Sequence, residues 1–263
     1  MKNSIKLLSA LFLIGAITLS SCKKDPDEEP APTPTPAATT GSIALHFENM
    51  VGDSALVFHT ESYVTANNDT FTVSMFKYYI SNIVLTKVGG GTYTESESYH
   101  LIDAADLLTG DITLPNVPFG DYNGISFKIG VDSLRNVSGA QTGALDPANG
   151  MFWSWSSGYI MMKFEGNSPQ STAGSNALLF HTGGFSGTNN VIKTVSPSFG
   201  IDVATVTSST TPEIHFKTDI LEIFTSPNTV DFSVLNTIHM AGANAKTIAD
   251  NYADMFTVEH IHN

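Results

Sequence analysis

The sequence predicts an all-β protein: an antiparallel β-sandwich with one or two short helices, preceded by a lipoprotein signal and a disordered tether. Three observations carry this expectation. Past residue 40, apolar residues recur with a period of two rather than 3.6, the repeat of a strand with one buried face. Turn-forming clusters, "VGGGT", "LPNVPFGDY", "GNSPQSTAGSN" and "HTGGFSGTNN", separate the apolar runs. Helical patterning is weak, confined to residues 103–108 and 243–256.

The chain begins with Lys2 and Lys6 ahead of an apolar run, residues 7–19, too short to span a bilayer and suited to the core of a secretion signal. The run ends in Leu19-Ser20-Ser21-Cys22, the pattern of a bacterial lipoprotein cleavage box, so residues 1–21 are expected to be removed. Cys22, the single cysteine, would then become the lipidated first residue, and the protein would be anchored rather than spanning. No disulfide can form within the chain even in an oxidising compartment. The expected location is the outer membrane, facing the periplasm or exported to the cell surface. Residues 22–40 are rich in Pro, Thr and acids with no large apolar side chain, and read as an extended tether. The Lys and acids just after Cys22 resemble the surface-export signal of Bacteroidetes lipoproteins, although Pro26 interrupts the acidic run.

Residues 41–263 form the folded domain, with ample core material in 41% hydrophobic residues and 16 phenylalanines. In "SIALHFEN", Ile43, Leu45 and Phe47 share one face while His46 and Glu48 take the other. "FTVSMFKYYISNIVL" alternates through Phe71, Val73 and Met75 and then shifts phase at Phe76, which predicts a bulge or two strands meeting. "ISFKIGVD" turns Ile125, Phe127, Ile129 and Val131 inward. Further strands are expected at residues 99–102, 111–114, 159–165, 177–181 and 213–224.

The formal charge is −13, and −15 once Lys2 and Lys6 leave with the signal. Such an acidic body repels nucleic acid and anionic headgroups and suits cation binding. The chain has no Gly-rich phosphate loop, HExxH or CxxC, and no serine in nucleophile-elbow context, so an enzyme is not expected.

Three roles fit "GMFWSWSSGYIMMKFEG", residues 150–166: core filler, a carbohydrate platform or part of a metal site. If residues 151–155 are extended, Met151, Trp153 and Trp155 share a face, with the indoles about 7 Å apart. Among eight histidines, His181 ends an apolar strand at a glycine turn, His46 points off the core face, and His260 and His262 form H-x-H. In a chain without further cysteines, His and Met are the available soft ligands, and they favour copper over calcium or magnesium. Asp132, Asn136 and Asp146, near glycine turns, suit turn-capping better than a hard cation.

"FTVSMFKYYISNIVL", "FKIGVD", "GALDPANGMFWSWSSGYIMMKFEG" and "LLFHTGGF" occur in an order that resembles the MbnP-like proteins, over roughly residues 42–240. That family comprises exported copper-binding proteins associated with methanobactin operons, with lipoprotein members in Bacteroidetes. The resemblance implies a β-sandwich in which a dihaem partner enzyme of the MauG type oxidises a tryptophan to kynurenine, and the product helps histidine hold copper. It makes Trp153 or Trp155 the residue for modification and His181 the ligand. Ser81 and Asn82 stand where methanotroph members carry a histidine, so either His46 or Met151 completes the site or this branch has lost copper. The alternative function is a cell-surface lipoprotein that binds glycan or another small ligand through its aromatic loop, without copper.

Overall fold

The computed structural model describes residues 39–154 and 156–263. The expected signal, Cys22, most of the tether and Trp155 lie outside the described residues. Among the described residues, no helix is long and apolar enough to cross a membrane.

The strands are β1 (Thr40–Val51), β2 (Ser54–Ala55), β3 (Tyr63–Val64), β4 (Thr70–Lys87), β5 (Thr92–Thr94), β6 (Tyr99–Asp103), β7 (Asp111–Pro118) and β8 (Gly120–Ile129). Helix α1 (Ser133–Asn136) is followed by β9 (Phe152–Ser154), β10 (Gly158–Asn167), β11 (Ala177–Gly183), β12 (Lys193–Val195), β13 (Ala204–Val206) and β14 (Glu213–Asp219). Then come α2 (Glu222–Thr225), β15 (Thr237–Ile238), α3 (Ala243–Tyr252) and β16 (Phe256–His262).

One sheet has the order β16-β14-β1-β2, with β7 also on β1. The other runs β12-β8-β4-β10-β11-β15, with shorter strands along β8, β4 and β10. The sandwich is therefore as the two-residue period predicts. Pairing is antiparallel except at β1 with β14 and β11 with β15, which run parallel. Those two exceptions position both histidine groups described below.

The inward faces are those the alternation assigns. Ile43, Leu45 and Phe47 of β1 and Ile125, Phe127 and Ile129 of β8 are buried, as is Val131 just beyond β8. Phe47 stacks on Phe216 at 4.6 Å, and Phe127 from the facing sheet meets both edge-on at 5.9 Å. Such offset and edge contacts add about 0.5–1.5 kcal/mol per pair beyond area burial. The hydroxyls of Tyr78 and Thr218 join the two sheets at 3.3 Å. The phase shift at Phe76 is a bulge inside one long strand, because Met75 pairs with Glu165 and Val73 with Gly166, leaving Ser74 as the extra residue.

Three expectations need correction. Residues 103–108 form no α-helix: β6 runs to Asp103 and only a 3-10 turn follows at Leu107–Gly110. The strand expected over residues 213–224 stops at Asp219, whose carboxylate accepts from the Leu221 amide at 3.0 Å and turns the chain into α2. Helix α3 ends at Tyr252 and hands over to β16, so the helical pattern read to residue 256 runs too long.

Burial, together with Asp219 and Asp254, raises the Glu222 carboxyl above its ordinary value of 4.5, with Lys217 opposing. A carboxyl raised by folding costs stability where it is ionised, so the cost is absent below the unfolded value and present above the folded one. Glu222→Gln is expected to raise the melting temperature by a few degrees at most near pH 7 and to leave it unchanged at about pH 4. Differential scanning calorimetry at the two pH values checks this.

Candidate metal centre

Alternation along β10 and β11 sends Phe164 and Phe180 into the core and Lys163, Glu165 and His181 to the outer face. Lys163 stands opposite His181 in the antiparallel register. The Nε2 of His181 and Oε1 of Glu165 form a hydrogen bond of 2.8 Å, with the Lys163 ammonium 3.5 Å from the same oxygen. Burial is the main influence holding the His181 imidazole below its ordinary value; Lys163 and His239 push it the same way, and Glu165 opposes. These influences favour the neutral form of His181, and its bond to Glu165 leaves Nδ1 as the other ring nitrogen. A carboxylate on one ring nitrogen orients a histidine that binds metal through the other.

The parallel pairing of β15 supplies the second imidazole. Leu179 pairs with Thr237 and Phe180 with Ile238, so the next step of the register brings His239 beside His181. Their ring centroids are 5.3 Å apart at an interplanar angle of 76°. His239 and its neighbour Met240 are exposed. Sequence reasoning missed both, because "NTIHMAG" carries no alternating run and reads as loop.

Trp153 reaches the same face from β9. The β9–β10 hairpin pairs Ser154 with Gly158 and Phe152 with Tyr159. The start of β10 is fixed by buried Asn136, whose Oδ1 accepts from the Tyr159 amide at 2.8 Å while its Nδ2 donates to the Val131 carbonyl at 2.6 Å. The half-buried indole of Trp153 lies over Gly183, two residues beyond His181 on β11: an added Cβ at Gly183 would sit 2.5 Å from its ring. Trp153, Phe185, His239, Met240 and several serines line a cleft of about 640 Å³. One imidazole, a thioether and an oxidisable indole thus line the cleft, and His181 stands beside His239 without itself lining it.

The other sequence candidates fall elsewhere. Met151 is fully buried in the core, where its carbonyl accepts from the Ile160 amide, and it does not line the cleft. His46 belongs to the smaller sheet, bonded through Nδ1 to Asp111 at 2.5 Å. His260 and His262 sit on β16 of that same sheet. Ser81 is buried and donates to the Gly130 carbonyl at 2.6 Å, and Asn82 lines a separate cleft with Tyr99, Asp132 and Arg135. Asp132 accepts from the Leu134 and Arg135 amides and Asp146 from the Ala148 amide, so both cap turns.

A family model described as MbnP matches residues 40–241. Among solved structures, MbnP from Methylosinus trichosporium is similar with a TM-score of 0.54 at 14% identity, over 84% of this chain and 99% of that one. No match is found among curated protein sequences.

Proposed function

The chain belongs to the MbnP family, and on that premise we propose that it is an exported, lipid-anchored copper-binding protein that holds copper at the His181–His239 pair beside this cleft. One observation carries the reading: the parallel β11–β15 register sets His239 beside His181, and His239 lines a cleft with Met240 and Trp153. Imidazole and thioether donors suit copper, whereas the other polar side chains of the cleft are serine hydroxyls, weaker ligands for a soft ion. Glu165 orients His181, burial favours the neutral form of that imidazole, and the exposed His239 and Met240 give a cation access from solvent. The lipid on Cys22 supplies the anchor and residues 22–40 the spacing from the membrane.

Trp153 contributes after oxidation by a dihaem partner of the MauG type. Opening the indole to kynurenine takes up two oxygen atoms, from dioxygen or an equivalent peroxide oxidant, across the pyrrole C2–C3 bond, which breaks. Hydrolysis then releases C2 as formate, leaving an aromatic amine and a ketone where the apolar ring had been. That converts a packing residue into a donor beside His181. The protein would store, acquire or deliver copper rather than transform a substrate.

The test is elemental analysis of protein purified from its own host, with intact-mass measurement and the variants His181→Ala and His239→Ala. Near-stoichiometric copper in the wild type is expected, falling roughly 100-fold or more in affinity in either variant, since even loss of an outer partner costs ~10–100-fold. A wild type that carries no copper and shows no mass change at tryptophan overturns the reading. Retention of sugars that depends on Trp153 would then support glycan binding instead.

A further inference from the structure

The smaller sheet carries a second group of imidazoles that shares no residue with the copper cleft. In the parallel register of β1 and β14, His46 stands opposite His215. In the antiparallel register of β14 and β16, His215 stands opposite His260. Three histidines therefore form a row across three adjacent strands, and the period of two sets His262 on the same face as His260. Ring centroids follow the row: 5.1 Å from His46 to His215, 4.2 Å from His215 to His260 and 4.6 Å from His260 to His262.

Two details distinguish this row from a chance run of surface histidines. The Nε2 of His215 is buried with no hydrogen-bond partner, although Oε1 of Glu213 lies 3.4 Å away. A buried nitrogen left in that condition is unfavourable unless something occupies it. At the other end of the row, Asp111 bonds His46 Nδ1 at 2.5 Å, the carboxylate–histidine pairing that fixes ligating imidazoles through their outer nitrogen. The ligand nitrogens of His215, His260 and His262 already lie within 4.8 Å of one another.

We propose that His215, His260 and His262, with His46 at the edge of the group, form a second metal site for a divalent first-row transition ion such as zinc(II) or copper(II). Imidazole donors select such borderline ions, whereas calcium and magnesium require oxygen ligands. Zinc–nitrogen bonds of about 2.0–2.1 Å put tetrahedral ligand atoms about 3.3 Å apart. Rotation of the exposed His260 and His262 side chains supplies that closure without moving the sheet. The matched family span ends at residue 241, so His260 and His262 lie beyond it.

Zinc chloride titrated into the metal-free protein, read by calorimetry and by melting temperature, tests the site in wild type, His181→Ala and His260→Gln/His262→Gln. One zinc per chain is expected in wild type and in His181→Ala. In the double variant the affinity should fall by more than the roughly 100-fold that loss of an outer-shell partner costs. Zinc should raise the melting temperature of wild type but not of the double variant, and equal melting of the metal-free forms is the fold control. His262→Gln alone, at the tip of β16, repeats the comparison if the double variant is unstable. No zinc bound by wild type, or zinc retained by the double variant, overturns the proposal. Loss in His181→Ala with retention in the double variant does the same and moves the zinc to the copper cleft. Because the copper reading is tested on His181 and His239, failure of either site is separable from failure of the other.

Discussion

Gly166→Ala is expected to be strongly destabilising. Gly166 lies in β10, between β4 and β11 in the middle of the larger sheet. Opposite it, the bulge at Ser74 draws the backbone of β4 inward, and a methyl on Gly166 would overlap the carbonyl oxygen of Thr72. Both partners are backbone in paired strands, so no rotamer change relieves the clash. Parting the strands forfeits ladder hydrogen bonds at about 1 kcal/mol each and adds an overpacking cost of ~1–3 kcal/mol. A net loss of about 3 kcal/mol or more lowers the melting temperature of a domain this size by ~10 °C, or leaves the protein insoluble. Gly124→Ala in β8 is the control, since its Cβ meets only the Thr86 side chain at an ordinary 3.5 Å. That change should be neutral or slightly stabilising, because Ala in a strand interior is favoured over Gly by about 0.5–1 kcal/mol. Equal melting temperatures for the two variants would show that the close approach at Gly166 is not constraining.

Gly183→Val is expected to disrupt the proposed copper cleft while sparing most of the fold. The new Cβ would stand 2.5 and 2.8 Å from two ring carbons of Trp153 and 2.9 Å from the Tyr159 carbonyl oxygen. Of these, the indole is the side chain free to leave, because Tyr159 is fully buried and held in β10. Displacing a large half-buried aromatic forfeits about 1.5–3 kcal/mol of apolar burial. It also moves the residue proposed for oxidation away from His181. Tryptophan emission should shift to longer wavelength, the melting temperature should fall by several degrees, and copper in protein from the native host should drop to background. An unshifted emission spectrum with copper at the wild-type level would refute the placement of Trp153 in the site.

Much of this was legible from residue order. The inward faces of β1 and β8 follow from Ile43-Leu45-Phe47 and Ile125-Phe127-Ile129, because a strand's side chains alternate whatever it pairs with. The bulge in β4 was legible too, as a break of phase at Phe76. His215 could have been found, since "EIHFK" repeats the apolar-His-Phe order of "ALHFE" around His46. His239 could not, for its strand is two residues long and has no period to read.

The sequence by itself determined the fold class, the strand faces and the chemical kind of ligand on offer, since period and composition are local properties. Tertiary structure alone decided which donors meet. His181 joins His239 and not His46 because β15 pairs with β11 while β1 belongs to the other sheet. His46, His215 and His260 fall in one row because of the registers of β1, β14 and β16. Register between distant strands is set by which apolar faces can be buried together across the whole sandwich, and a one-residue slip would turn every one of these histidines into the core.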